Sequence, residues 1–135
     1  MTTSITRETH FNACHRMHNP LWSDKKNKLV YGICNSPNYH GHNFRLIVKL
    51  TGKINPETGY IMDLKKLAEV LEEHVVKKFD HKNLNLDCPE FEHKLASTEN
   101  FCIVIYEILR PLIPNHLKLG VTLYETDRNA AEVTE

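Results

Sequence analysis

From His40 to Leu50 every second residue is apolar or histidine: His40, His42, Phe44, Leu46, Val48 and Leu50. Asn43, Arg45, Lys49 and Thr51 take the opposite parity. A period of two specifies a β-strand with one face on a core, because successive side chains point to opposite faces. His40 and His42 carry the parity of the apolar face, so they point inward from one end of the strand. A second strand-like run over residues 4–16 gives Phe11, Ala13 and His15 a shared face, with Cys14 on the other. Three imidazoles with the fourth position left open is the ligand set of a catalytic zinc. The competing reading of the pair is two histidines that pack or hydrogen-bond near a turn.

The other elements follow from helical spacing and caps. Asp63 is placed to cap a helix running to about Phe79, with Leu64, Leu67, Ala68, Leu71, Val75 and Phe79 as its buried stripe. Ser97 or Thr98 caps a second helix whose buried side is Phe101, Val104, Ile105, Ile108, Leu109 and Leu112; Pro111 and Pro114 end it. Glu99 falls in its first turn, where the helix dipole favours an anion. A last strand runs from Leu117 to about Asp127. Leu117, Leu119, Val121 and Leu123 share one face, and Glu125 continues that inward parity, a costly place for a carboxylate unless something pairs with it.

Between these lie Asn55-Pro56-Glu57-Thr58-Gly59, a turn, and Tyr60-Ile61-Met62, a brief extended return. Residues 19–38 read as a long functional loop with a short helix, anchored by Leu21, Trp22, Leu29 and Val30. Asp80 to Pro89 is a further loop, and residues 128–135 are a frayed tail. The order predicts an α+β domain over residues 1–135, an antiparallel sheet with two helices on one face. The edges of so small a sheet need covering, and oligomerisation is the expected cover.

Composition narrows the partners. Seventeen basic residues balance seventeen acidic ones, so no general nucleic-acid surface is expected. No stretch reaches the roughly 20 apolar residues of a membrane helix. The first residues lack the apolar core of a secretory signal, which points to the cytoplasm. Cys14, Cys34, Cys88 and Cys102 contain no CxxC pair and read as free thiols. Cys34 alone reads as a small buried hydrophobe, but its polar loop six residues before His40 favours a reactive thiol.

Five motifs occur in order: Phe11-Asn12-Ala13-Cys14-His15-Arg16, the run Cys34 to Asn43, Asp80-His81-Lys82-Asn83-Leu84-Asn85, Ser97-Thr98-Glu99-Asn100 and Tyr124-Glu125-Thr126-Asp127. Together they resemble the 6-pyruvoyltetrahydropterin synthase family, which includes the 6-carboxytetrahydropterin synthases of queuosine biosynthesis. The resemblance covers nearly the whole chain. It implies a tunnelling fold: a four-stranded antiparallel sheet with two helices on its outer side, closed by three subunits into a barrel and stacked as a hexamer. Active sites then lie between subunits and take 7,8-dihydroneopterin triphosphate.

By family position His15, His40 and His42 hold Zn2+. Cys34 matches the catalytic cysteine, and Asp80 and His81 its proton-relay partners. Glu125 matches the carboxylate that anchors the pterin ring, and Glu99 a second carboxylate of that pocket. For the triphosphate, Arg16 is the better-placed cation, with Lys25, Lys26 and Lys28 as further candidates. Two departures stand out: Tyr39 occupies a position that is glycine in the animal enzymes, and Cys14 replaces a small serine or alanine.

The long Cys34-to-His40 step leans toward 6-pyruvoyltetrahydropterin as product. The alternatives are a 6-carboxytetrahydropterin synthase, which releases acetaldehyde, and a zinc-containing pterin-binding protein without turnover.

Overall fold

The computed structural model describes residues 1–135. In chain order it contains β1 (Thr3–His15), α1 (Asp24–Tyr31), a 3-10 turn (Gly32–Asn35) and β2 (His40–Gly52). Then come α2 (Leu64–Leu71), a π turn (Glu72–Val76) and α3 (Lys77–Phe79), which form one continuous helical run. They are followed by β3 (Lys82–Asn83), α4 (Leu84–Asp87), α5 (Thr98–Leu109), β4 (Lys118–Thr126) and β5 (Asn129–Thr134).

The strand order is β3-β1-β2-β4-β5. Alternation along each strand decides which face is covered. Phe11, Ala13 and His15 of β1, Phe44, Leu46, Val48 and Leu50 of β2, and Leu119, Val121 and Leu123 of β4 are all buried. Leu67, Leu71, Val75 and Phe79 of the first helical run pack against that face, as do Phe101, Val104, Ile105 and Leu109 of α5. At the centre Phe11 stacks on Phe44 with centroids 5.6 Å apart. Phe101 meets Phe44 edge-on at 5.2 Å and Phe79 at 4.9 Å. Burying each such side chain contributes about 1.5–3 kcal/mol, so this aromatic knot is a firm floor for whatever stands at the end of β1 and β2.

The caps are where side-chain chemistry puts them. Asp63 accepts from the Lys65 amide at 2.9 Å and Ser97 from the Asn100 amide at 3.2 Å. Each such cap is worth about 1 kcal/mol. In the turn after β2, Gly59 adopts φ +80° and donates to the Asn55 carbonyl at 2.7 Å, a conformation that glycine takes without steric cost.

Several expectations are corrected. The sheet has five strands and is mixed, because Lys82–Asn83 pairs parallel to Ala13–Cys14. Residues 128–135 are not frayed: β5 pairs antiparallel with β4, and Glu135 Oε1 accepts from Arg110 Nη1 at 2.6 Å and Tyr106 Oη at 2.7 Å. Residues 60–62 form bends, not a strand. The 80–89 segment holds β3, α4 and the start of a further 3-10 turn.

Of the four expected apolar anchors of the long loop, Leu21 is 92% and Leu29 83% exposed and Val30 is exposed too, while Trp22 is half-buried and stacks on Tyr31 with centroids 5.6 Å apart. Asn27 is the buried tie of the loop: it accepts from the Asn19 amide at 2.8 Å and donates to the Asn19 carbonyl at 2.9 Å. An amide carries both a donor and an acceptor, so one side chain ties the loop twice.

Candidate metal centre and active site

Strand parity and register together build the centre. In the β1–β2 pair His15 lies directly opposite His40, and Ala13 opposite His42. Side chains directly across an antiparallel pair stand about 4.5–5.5 Å apart at Cβ, and His42 lies two residues along the same face. The three rings accordingly converge, with centroids 4.7 Å (His15–His40), 5.2 Å (His15–His42) and 5.0 Å (His40–His42) apart. Phe44 stands under them, 6.3 Å from the His15 ring and 5.7 Å from that of His42.

One nitrogen of each ring is buried with no hydrogen-bond partner: Nε2 of His15, Nδ1 of His40 and Nε2 of His42. One ligand atom from each of the three rings lies within 4.8 Å of the other two. His15 Nδ1 donates to the Ala96 carbonyl at 2.6 Å. A carbonyl only accepts, so the proton sits on Nδ1 and the lone pair of Nε2 faces its neighbours. Burial holds all three imidazoles below their ordinary pKa; Glu125 opposes that shift, and the neighbouring imidazoles add to it.

Glu125 completes the cluster. Its Oε2 is 3.7 Å from His15 Nε2 and its Oε1 3.7 Å from His42 Nε2. Thr98, the first residue of α5, donates its hydroxyl to Oε2 at 2.5 Å. Neutral imidazole lone pairs turned toward a carboxylate repel it unless a cation stands among them. The three converging imidazole nitrogens fit a divalent metal with a fourth position left open, and nitrogen ligation suits zinc.

The remaining predicted residues fall into two further groups. Asp80 ends the first helical run, and its Oδ1 accepts from the Asn12 amide at 2.9 Å. Its Oδ2 lies 2.9 Å from His81 Nδ1. The Asn12 amide, and after it the bond with His81, holds the Asp80 carboxyl below the usual carboxylate range. His81 adopts φ +61°, its amide donates to the Asn12 carbonyl at 2.6 Å, and its side chain is 78% exposed. A cleft of about 530 Å3 lies there, lined by Asn12, Cys14, Asn43, His81, Lys82 and Asp87 among others. Asn12, Cys14 and Asn43 have the parity opposite to the three histidines, and His42 and Ala13 also line the cleft, so it reaches the end of the sheet where the histidines stand.

Cys34 is half-buried in the 3-10 turn before β2. No hydrogen bond or ion pair within the chain joins it to Asp80–His81. Arg16 does not stand free: its Nη2 donates to the Asn35 carbonyl at 2.9 Å. Glu99 is exposed in the first turn of α5. Cys88 and Cys102 are buried thiols pushed up to about 11, first by burial, which makes them inert.

Sequence reasoning missed two members of the centre. The Ala96 carbonyl carries no side-chain signal. Thr98 was legible only as a cap, and Ser97 holds that role. Tyr39, noted as a departure, has φ +64°, so the backbone there takes the shape that glycine favours.

Comparison with known proteins covers the whole of this arrangement. The model of the family described as 6-pyruvoyl tetrahydropterin synthase matches residues 4–135. A 6-pyruvoyl tetrahydrobiopterin synthase of Poecilia reticulata is 42% identical over 125 residues, 93% of this chain and 85% of the relative. The solved 6-pyruvoyl tetrahydropterin synthase of Caenorhabditis elegans superposes with a TM-score of 0.93 at 34% identity, over 100% of this chain and 96% of that one. A putative 6-carboxy-5,6,7,8-tetrahydropterin synthase of Archaeoglobus fulgidus is 39% identical over 70 residues, 52% of this chain and 55% of the relative. The chain belongs to the 6-pyruvoyl tetrahydropterin synthase family.

Proposed function

We propose that this protein is a zinc-dependent lyase that converts 7,8-dihydroneopterin triphosphate to 6-pyruvoyltetrahydropterin with loss of triphosphate. The observation that carries the reading is the convergence of three neutral imidazoles on one point, each with an unpaired buried nitrogen. The product assignment draws on the near full-length likeness to pyruvoyl-type relatives, against half the chain for the carboxy type.

His15, His40 and His42 would hold the zinc, which when bound lowers the cost of negative charge developing on the substrate's side-chain oxygens. Cys34, as thiolate, takes a proton from a side-chain carbon. His81, oriented by Asp80 at 2.9 Å, handles the opposing transfer. Glu125 lies 3.7 Å from two ligand nitrogens. Its family position is that of the carboxylate that anchors the pterin ring, whose amidine edge presents a row of N–H donors. Glu99, exposed at the start of α5, is a second carboxylate suited to that row of N–H donors. Arg16, whose Nη2 is engaged by the Asn35 carbonyl while its Nε has no partner within the chain, and Lys25, Lys26 and Lys28 are the candidate cations for the triphosphate.

Cys34 and the Asp80–His81 pair are not joined within one chain, which supports an active site completed by a second copy. The sheet offers the edges for it. β1 is paired on its outer side only at Ala13 and Cys14, and β5 has no outer neighbour. Two open edges on one sheet favour ring closure, and a hexamer of stacked trimers is the expected assembly. No helix is long and apolar enough to cross a membrane.

The test is incubation of the zinc-loaded protein with dihydroneopterin triphosphate, followed by mass spectrometry of the pterin and assays for triphosphate and acetaldehyde. The pyruvoyl product with released triphosphate and no acetaldehyde is expected. Acetaldehyde in step with substrate loss would instead identify a carboxytetrahydropterin synthase, and bound but unconverted substrate a binding protein.

A further inference from the structure

Residues 16–18 directly follow His15, and four hydrogen bonds join them to the turn bearing Cys34. The Met17 amide donates to the Cys34 carbonyl at 2.8 Å. Asn35, only 5% exposed, donates from Nδ2 to the Met17 carbonyl at 2.7 Å and to His18 Nδ1 at 2.9 Å. Arg16 Nη2 donates to the Asn35 carbonyl at 2.9 Å and reaches His18 Nδ1 at 3.3 Å. Its guanidinium stands 5.9 Å from the centroid of the Tyr39 ring, at the other end of the loop. The Arg16 backbone is in turn held from both sides by the Asn85 side chain, at 2.9 Å and 3.0 Å.

The chemistry of the network has one solution. A carbonyl only accepts, so the amide nitrogen of Asn35, not its oxygen, faces Met17. That nitrogen and Arg16 Nη2 are both donors, so His18 Nδ1 must offer a lone pair, with its proton on Nε2. We propose that Arg16, His18 and Asn35 are positioning residues for Cys34. They fasten the turn that carries the thiol to the segment leaving the metal ligand, and so set the thiol's place relative to the metal centre. Arg16 acts on this turn through its Nη2. The inference rests on Cys34 being the proton acceptor of the proposed reaction.

The experiment uses zinc-loaded protein and compares His18→Leu, which removes the acceptor, His18→Gln, which supplies one through its amide oxygen, and Arg16→Lys, which keeps the charge but loses the planar fork. Each is made with Cys34 intact and with Cys34→Ala. Measured are kcat, KM and the rate of Cys34 alkylation by iodoacetamide, read on the Cys34 peptide. His18→Leu is expected to lower kcat by roughly 10- to 100-fold, as small misplacements of reacting groups do. KM and zinc content stay close to wild type, the alkylation rate changes, and His18→Gln recovers most of the loss.

In the Cys34→Ala background none of these substitutions should lower turnover further, because residues that act through one group are not additive. Additive losses overturn the inference, as does a raised KM at unchanged kcat, which would place these residues on the substrate. Should His18→Leu fail to accumulate as folded protein, Arg16→Lys decides by the same cycle. If Cys34→Ala alone retains full turnover, the assignment of the base fails separately, and an unchanged alkylation rate in the variants would then overturn the positioning role as well.

Discussion

Acidification offers a direct test of the metal centre. Imidazoles bind a metal only through a neutral nitrogen, so protons and metal compete for the same lone pairs. Burial is the main reason that all three ligand histidines titrate below their ordinary value of 6.5. Above about pH 6.5 no proton has to leave, and affinity for zinc should be flat. Below the depressed values each ligand must first be deprotonated, so apparent affinity should fall by up to about tenfold per pH unit per ligand, approaching about 10³ per unit for three.

The sign for the metal-free protein follows from the same shifts. As pH falls below the unfolded value of about 6.5, unfolded imidazoles take up protons before the folded ones can, so stability is lost through that window down to the folded values. Competition of the metal-free protein with a chromophoric chelator between about pH 5 and 8.5 reads the first effect, and thermal melts over the same range read the second. An affinity that climbs steadily between about pH 7 and 8 would mean that the ligands still carry protons there, and the account of a neutral, buried triad would fail.

Four further outcomes are expected. His42→Ala removes one of three ligands and should abolish stoichiometric zinc; metal analysis showing tightly held zinc in that variant would end the assignment. Cys34→Ala should leave folding and pterin binding intact and lower turnover by roughly 10²–10⁴-fold, the usual worth of a positioned proton acceptor; unchanged turnover removes Cys34 from the chemistry. Thr98→Val frees Glu125 from its 2.5 Å hydrogen bond and should raise KM for the pterin while zinc stays stoichiometric, because the candidate ligands are the three histidines; an unchanged KM would show that Thr98 does not matter to the site. Tyr39→Val, a β-branched residue at φ +64°, should be less stable than Tyr39→Gly by about 1–2 kcal/mol, and equal denaturation midpoints would refute the strain.

What could be foreseen was whatever has a period. Alternation gave the inward parity of His40, His42 and Glu125, and the three- and four-residue spacing gave both long helices. The two-residue β3 has no period to read, and the exact convergence on His15 needed the register that puts it opposite His40. β5 reads as a tail in the sequence because Asn129–Thr134 lacks a strong apolar face; it is held by pairing with β4 and by the side chain of Glu135. The long loop misled for a related reason. Leu21, Leu29 and Val30 read as anchors but are exposed, whereas Asn27 and Asn35, two amides with no hydropathic signal, are buried.

That pattern has a physical cause that bears on the site. A catalytic loop beside a metal cannot be fixed by packing alone, because its backbone groups must be satisfied and its inner surface kept polar for substrate. Buried amides solve both needs, each matching a backbone donor and acceptor at once, and they fix a loop in direction as well as distance. Hydrophobic contacts tolerate sliding; a bond at 2.7 Å from Asn35 to the Met17 carbonyl does not. The aromatic knot under His42 and the amide ties around Cys34 therefore divide the work. The first holds the three candidate ligands on rigid strands, and the second holds the proposed proton acceptor on a loop, so a cavity in the core should disturb metal binding first, and a broken amide tie should disturb proton transfer first.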